Sequence, residues 1–100
     1  MLKINKTVEE AKAAIALEGR LDTVTAPELE ADLMGIIEGV KELVLDFEKL
    51  DYISSAGLRV LLSAQKTMNK QGTMKIVHVK EVIMDIFEMT GFLDILTVEE

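Results

Sequence analysis

A chain of 100 residues, 49% of them hydrophobic, is long enough for one domain around one core and too apolar to remain disordered. It has no cysteine, which excludes disulfides, thiolate catalysis and cysteine-ligated metals and fits a reducing compartment. The formal net charge of −7 argues against a nucleic-acid partner, which needs clustered Lys and Arg, and against attraction to an anionic membrane surface.

Leu2 and Ile4 alternate with Lys3 and Asn5, which predicts a short strand with one wet face. The same charged alternation over residues 1–6 is unlike a signal peptide, and no apolar run approaches the length needed to span a membrane. Val8 to Lys12 reads as a polar connection. Ala13 to Leu17 reads as a second strand, with Ile15 and Leu17 on one face, able to pair with the first as a hairpin. Gly19-Arg20-Leu21-Asp22 reads as the punctuation that ends it. Thr25 and Glu28 have capping-box spacing, and Pro27 falls in a first helical turn, where no N–H is missed. Leu29, Leu33, Ile36 and Ile37 then form a core-facing stripe, Glu30, Asp32 and Glu38 face water, and Gly39 is the expected stop.

The centre of the chain reads as strand, loop and helix. Leu43, Val44, Leu45 and Phe47 make a short buried strand interrupted by Asp46, and Tyr52 and Ile53 return toward the core after a loop. Ser54-Ser55 stand where a helix N-cap belongs. Backbone N–H groups point outward there and the helix dipole is positive, so a hydroxyl can cap the helix or carry an anion. Gly57, one turn in, reads as a bare helix end open to the approach of another molecule. Leu58, Leu61, Leu62, Ala64 and Met68 make the buried side of this second helix, Arg59, Gln65, Lys66 and Lys70 the wet side, and Gly72 ends it.

Thr73 to Val79 is a third buried strand, and His78, the single histidine, is read as a strand-end residue with no second kind of metal ligand near it. Glu81 to Thr90 predicts a third helix with Val82, Ile83, Ile86, Phe87 and Met89 inward. Gly91 is its C-cap, Phe92 packs back, and Ile95, Leu96 and Val98 suggest a last short strand.

Alternating strands and helices predict an α/β fold: a mostly parallel sheet with an N-terminal hairpin strand, covered by helices. In such sheets functional loops gather beyond the carboxyl ends of strands. Asp22 and Ser55 both follow strands, so both are expected on one rim. Catalytic constellations are missing from the sequence. There is no nucleophile elbow with a histidine partner and no Gly-rich Lys-Ser/Thr loop for a nucleotide. The carboxylates are scattered, and Asp46 with Asp51 is too little for a metal site. No catalytic residue, metal, cofactor or small-molecule substrate is therefore expected, and an enzyme is the weakest of the readings.

Ile53-Ser54-Ser55-Ala56-Gly57-Leu58-Arg59-Val60-Leu61-Leu62 resembles the signature of the STAS domain, in particular of bacterial anti-sigma-factor antagonists. Further landmarks of the resemblance are Gly19-Arg20-Leu21-Asp22 and Met89-Thr90-Gly91-Phe92, so that it spans residues 1–100 as one STAS domain. The resemblance implies a small cytoplasmic switch protein. Its partner would be an anti-sigma factor that is also a serine kinase, a serine phosphatase would reset it, and binding would release a sigma factor. Anchoring on Gly57-Leu58 puts the phosphorylated serine at Ser55, with Asp22, Ser54, Ser55, Ala56, Gly57 and Leu58 at the partner surface. Ser54 stands where the family often has Asp, and Ala56 where it often has Ser or Thr. These departures keep a second reading open, a STAS scaffold or assembly subunit without phosphorylation.

Overall fold

Eight residues, alternating in exposure only at their start and open to solvent from Asn5 on, pair with a longer strand to begin the fold. The computed structural model describes residues 2–99. Its elements are β1 (Leu2–Glu9), β2 (Lys12–Leu21), α1 (Ala26–Ile36), β3 (Glu42–Ile53), α2 (Ser55–Gln71), β4 (Thr73–Val77) and α3 (Glu81–Thr90), followed by a 3-10 turn at Phe92–Asp94. The four-stranded sheet has the order β1-β2-β3-β4; β1 is antiparallel to β2, and β2, β3 and β4 are parallel. This is the α/β class with an N-terminal hairpin strand that the sequence predicts.

The helices lie on one face of the sheet. That face carries Ala13, Ile15 and Leu17 of β2, Leu43, Leu45 and Phe47 of β3, and Met74 and Ile76 of β4, all buried in one cluster with Leu29, Leu33, Leu61, Met68, Ile83 and Phe87 of the helices. Phe47 and Phe87 meet with ring centroids 6.4 Å apart, and Lys6, opposite Ile15, reaches Asp32 of α1 at 3.0 Å. The alternate residues Lys12, Ala14, Glu42, Thr73 and Lys75 are exposed, with Val44 and Asp46 partly so, and mark an open second face.

The hairpin is tighter than its sequence implies. Val8 to Lys12 is not a connection: Glu9 pairs with Lys12, only Glu10 and Ala11 turn, and Glu10 takes a left-handed φ of 55°. Main-chain pairing carries β1 past the point where its apolar alternation fades. Gly19, Arg20 and Leu21 likewise belong to β2 and do not end it, with Leu21 fully buried.

The expected loop after Phe47 is also strand. β3 runs unbroken to Ile53, with register shifts between Ala16 and Glu18 and between Gly19 and Arg20 of its partner. Leu17 faces both Phe47 and Glu48, and Asp51 is the extra residue between the Leu50 and Tyr52 pairings. Each extra residue moves the side-chain alternation by one. The buried positions are therefore Leu43, Leu45, Phe47, Leu50 and Ile53, a spacing that no single strand period describes. Tyr52 points outward as a result, 36% exposed, and not to the core.

Other expectations shift in detail. Thr25 does not cap α1 through a capping box; its side chain makes no cap bond. α1 ends at Ile36, and Gly39 lies in the turn beyond, with φ 80°. Gln65 is buried, not wet, and its amide donates to Asn69 Oδ1 at 2.8 Å. Ile83 and Phe87 form the buried stripe of α3, while Val82 and Met89 are 53% and 81% exposed, because a short helix lays only one narrow face on the sheet. Gly91 is the expected left-handed C-cap, with φ 77°. The final strand reduces to one parallel bridge, Ile76 to Val98, beside β4.

Candidate functional site

β2 and β3 are parallel neighbours that finish together, with Leu21 opposite Ile53. The next residue, Ser54, donates its N–H to Leu21 O at 2.8 Å. The chain thus leaves both strands at one point of the rim, and the loop of Asp22 lies beside the N-terminus of α2. The juxtaposition expected of two strand-following residues is present. Asp22 is half-buried and Ser55 exposed.

Asp22 organises its own loop. Its Oδ1 accepts from the N–H of Val24 and of Thr25, each at 3.0 Å, and lies 3.1 Å from Thr25 Oγ1. Thr25 Oγ1 accepts from Asp22 N–H and lies 2.8 Å from Arg20 O, so the threonine ties the loop to the end of β2. The Thr25 N–H in particular holds the Asp22 carboxyl below its usual range, against the opposing effect of desolvation. The second oxygen, Oδ2, is 3.8 Å from Arg20 Nε, and the Arg20 guanidinium stacks 4.3 Å over the Tyr52 ring.

At the start of α2 the two serines separate in role. Ser54 has extended backbone and is the N-cap, its Oγ accepting from Gly57 N–H at 3.4 Å. Ser55 is the first helical residue and, among the described residues, its hydroxyl has no hydrogen-bond partner. Ala56 is half-buried. A shallow groove beside it is lined by Thr23, Pro27, Glu30, Ala56 and Arg59, and Val24 next to it is 80% exposed.

Gly57 and Leu58 do not form a bare helix end. Both are buried, and a Cβ on Gly57 would come within 2.7 Å of Leu21 Cγ and 2.9 Å of Ile53 Cγ1. The glycine lets α2 settle on the strand ends and so sets the height of Ser55 above the sheet. Arg20, Val24 and Tyr52 are rim residues that sequence reasoning missed. Tyr52 was concealed by the bulge at Asp51, and Val24 carries no local signal distinguishing it from a core residue.

The expectation for His78 needs a larger correction. Two other ligand-type residues do stand near it: Asp46, Glu48 and His78 each bring a donor atom within 4.8 Å of the others'. Strand pairing across 32 positions brings them together, which no local spacing reveals. Burial pushes the Asp46 carboxyl up, but the Glu48 N–H and the His78 side chain outweigh it and leave it below the ordinary value.

Residues 3–100 match the model of the STAS domain. The chain belongs to the STAS domain family. Among its relatives is the anti-sigma-B factor antagonist of Staphylococcus aureus, 30% identical over 99% of this chain and 94% of that protein. A candidate anti-sigma factor antagonist of Bordetella bronchiseptica, BtrV, is 40% identical over 82% of this chain and 72% of that protein. Solved STAS structures share the fold. An anti-sigma factor antagonist from Mycobacterium paratuberculosis superposes with a TM-score of 0.89 at 19% identity, covering 99% of this chain and 86% of that one. Unphosphorylated SpoIIAA gives 0.76 at 16% identity, covering 100% of this chain and 88% of that one. In this STAS domain, no helix among the described residues is long and apolar enough to cross a membrane.

Proposed function

We propose that this STAS domain is a cytoplasmic anti-sigma factor antagonist switched by phosphorylation of Ser55. The observation that carries the reading is the division of labour at the start of α2. Ser54 is engaged as the cap, and Ser55 presents an exposed hydroxyl beside Asp22. The names of the relatives in Staphylococcus and Bordetella support the antagonist role.

In this reading the unmodified rim docks on an anti-sigma factor that is also a serine kinase, and the sigma factor is released. Ser55 Oγ then attacks the γ-phosphorus of the kinase's nucleoside triphosphate. The new O–P bond forms, the bond to the leaving diphosphate breaks, and the hydroxyl proton passes to a base of the kinase. Nucleotide and magnesium belong to that partner, and the chain supplies only the acceptor. A serine phosphatase hydrolyses the ester and resets the switch.

The phosphate adds about −1.5 to −2 charge at a helix N-terminus. That position favours an anion by about 0.3–1 kcal/mol, so the domain stays folded. The cost falls on the interface, where a desolvated or like-charged phosphate opposes docking by several kcal/mol. Asp22, held ionised, adds negative charge on the same rim.

Intact mass of the protein from its source cell, followed by phosphopeptide mapping, tests the proposal. A fraction heavier by one phosphate on Ser55 is expected, lost in Ser55→Ala and kept in Ser54→Ala. Phosphate on Ser54 overturns the assignment of the acceptor. A chain that is never phosphorylated is a scaffold or assembly subunit.

A further inference from the structure

A second constellation lies away from the Ser55 rim. Asp46 projects from β3 onto the open face of the sheet, and Glu48 is one of the two residues that face Leu17 at the bulge. His78 follows β4 directly, next to Val77, which pairs with Asp46. The backbone of His78 is left-handed, with φ 57°, and the imidazole comes back over β3 until Nδ1 is 3.1 Å from Asp46 Oδ1. Both side chains are open to solvent, at 57% and 36% exposure. Asp46 and Glu48 also line a depression on the open face together with Asn5, Ala16 and Glu18.

We propose that Asp46, Glu48 and His78 bind one divalent transition-metal ion of the zinc class. One imidazole and two carboxylates are the donor set that zinc and its neighbours accept, whereas magnesium and calcium favour all-oxygen shells. Donors at about 2.0–2.2 Å in a tetrahedral shell lie about 3.3–3.6 Å from each other. The Nδ1–Oδ1 separation of 3.1 Å is a few tenths of an ångström short of that, so a small opening of two exposed side chains lets the ion take the place of the proton shared by the two atoms. Glu48 completes the set by rotation of an exposed side chain, since its donor lies within 4.8 Å of the others. Three protein ligands leave the remaining coordination to water and keep the ion exchangeable. The Glu48 N–H donates at 3.0 Å to the same oxygen, Asp46 Oδ1, and helps to hold the carboxylate in its orientation toward His78. The bound ion ties β3 to the turn that leads into α3, and the net charge of −7 favours its approach.

Calorimetric titration of the metal-stripped full chain with zinc chloride tests this, with His78→Asn and Glu48→Gln alongside. Asparagine tolerates the left-handed backbone, so His78→Asn keeps the fold, and its amide spectrum verifies this. One zinc ion per chain is expected, with His78 ring and Asp46 resonances shifting while the Ser55 amide stays in place. Each substitution weakens binding by more than the about 10–100-fold that loss of an outer-shell partner costs. Magnesium at equal concentration leaves the titration unchanged. Absence of saturable zinc binding below about 1 mM overturns the proposal. So does binding that both variants retain, or equal competition by magnesium.

Discussion

Replacing Gly57 by alanine forces a methyl group into the contact between α2 and the ends of β2 and β3. The added carbon would lie 2.7 Å from Leu21 Cγ, 2.9 Å from Ile53 Cγ1 and 3.0 Å from Leu21 Cδ2. Carbon atoms in optimal contact are about 3.5–4.0 Å apart. Leu21 and Ile53 are 0% and 2% exposed, so neither side chain can swing into solvent to make room. Overpacking of this kind costs about 1–3 kcal/mol. Contacts this short to fully buried side chains place the cost in the upper half of that range, about 2–3 kcal/mol, and alanine regains up to about 1 kcal/mol of helix propensity, which leaves a net loss of about 1–3 kcal/mol. At about 4–8 °C per kcal/mol for a domain of this size, the melting temperature falls by roughly 4–24 °C. Gly35 is the internal control, because a Cβ there meets nothing within 4 Å. Gly35→Ala is expected to gain about 0.5–1 kcal/mol. Urea unfolding of both variants measures the difference. A Gly57→Ala protein as stable as the parent would show that α2 does not rest on Leu21 and Ile53 as described.

Three further outcomes follow from the rim. Asp22 is expected to titrate by NMR below the ordinary 3.8 of an aspartate, because the Thr25 N–H stabilises its charged form. Its folded-state value is depressed, so the stability it contributes is present above the unfolded value and is lost as pH falls through the folded one. Asp22→Asn should flatten that part of the acid limb, and an unchanged limb contradicts the hydrogen-bond assignment. Ser54→Ala is expected to cost about 0.5–1 kcal/mol in urea unfolding, at the low end for a cap because its bond is 3.4 Å long. Ser55→Ala should stay within about 0.5 kcal/mol of the parent, since an exposed hydroxyl without a partner holds nothing in place. Equal losses in the two variants would contradict the separate roles of these serines.

The parts of the fold written in local periodicity were legible. The stripe of Leu29 and Leu33, the run from Leu43 to Phe47, and the left-handed stop at Gly91 each obey one period or one backbone rule. What was hidden depends on strand pairing. The bulges at Glu48 and Asp51 break the alternation of β3, so a continuous strand looks like a loop and Tyr52 looks buried. β1 beyond Ile4 is held by its main chain, which leaves no apolar trace. The same limit applies to the sites. Asp22 and Ser55 could be placed on one rim because both follow strands. The packing need at Gly57 and the meeting of His78 with Asp46 and Glu48 arise from partners far away in sequence.

The most direct test of the switch compares the affinity of the unmodified chain and of the chain phosphorylated on Ser55 for its purified anti-sigma kinase. Each 1.4 kcal/mol is about tenfold in affinity, so a penalty of several kcal/mol weakens binding by about 100-fold or more. Amide shifts on phosphorylation should stay near Ser55 and the Asp22 loop. Equal affinity of the two forms, or shifts spread through α1, α2 and α3, contradicts local exclusion at Ser55.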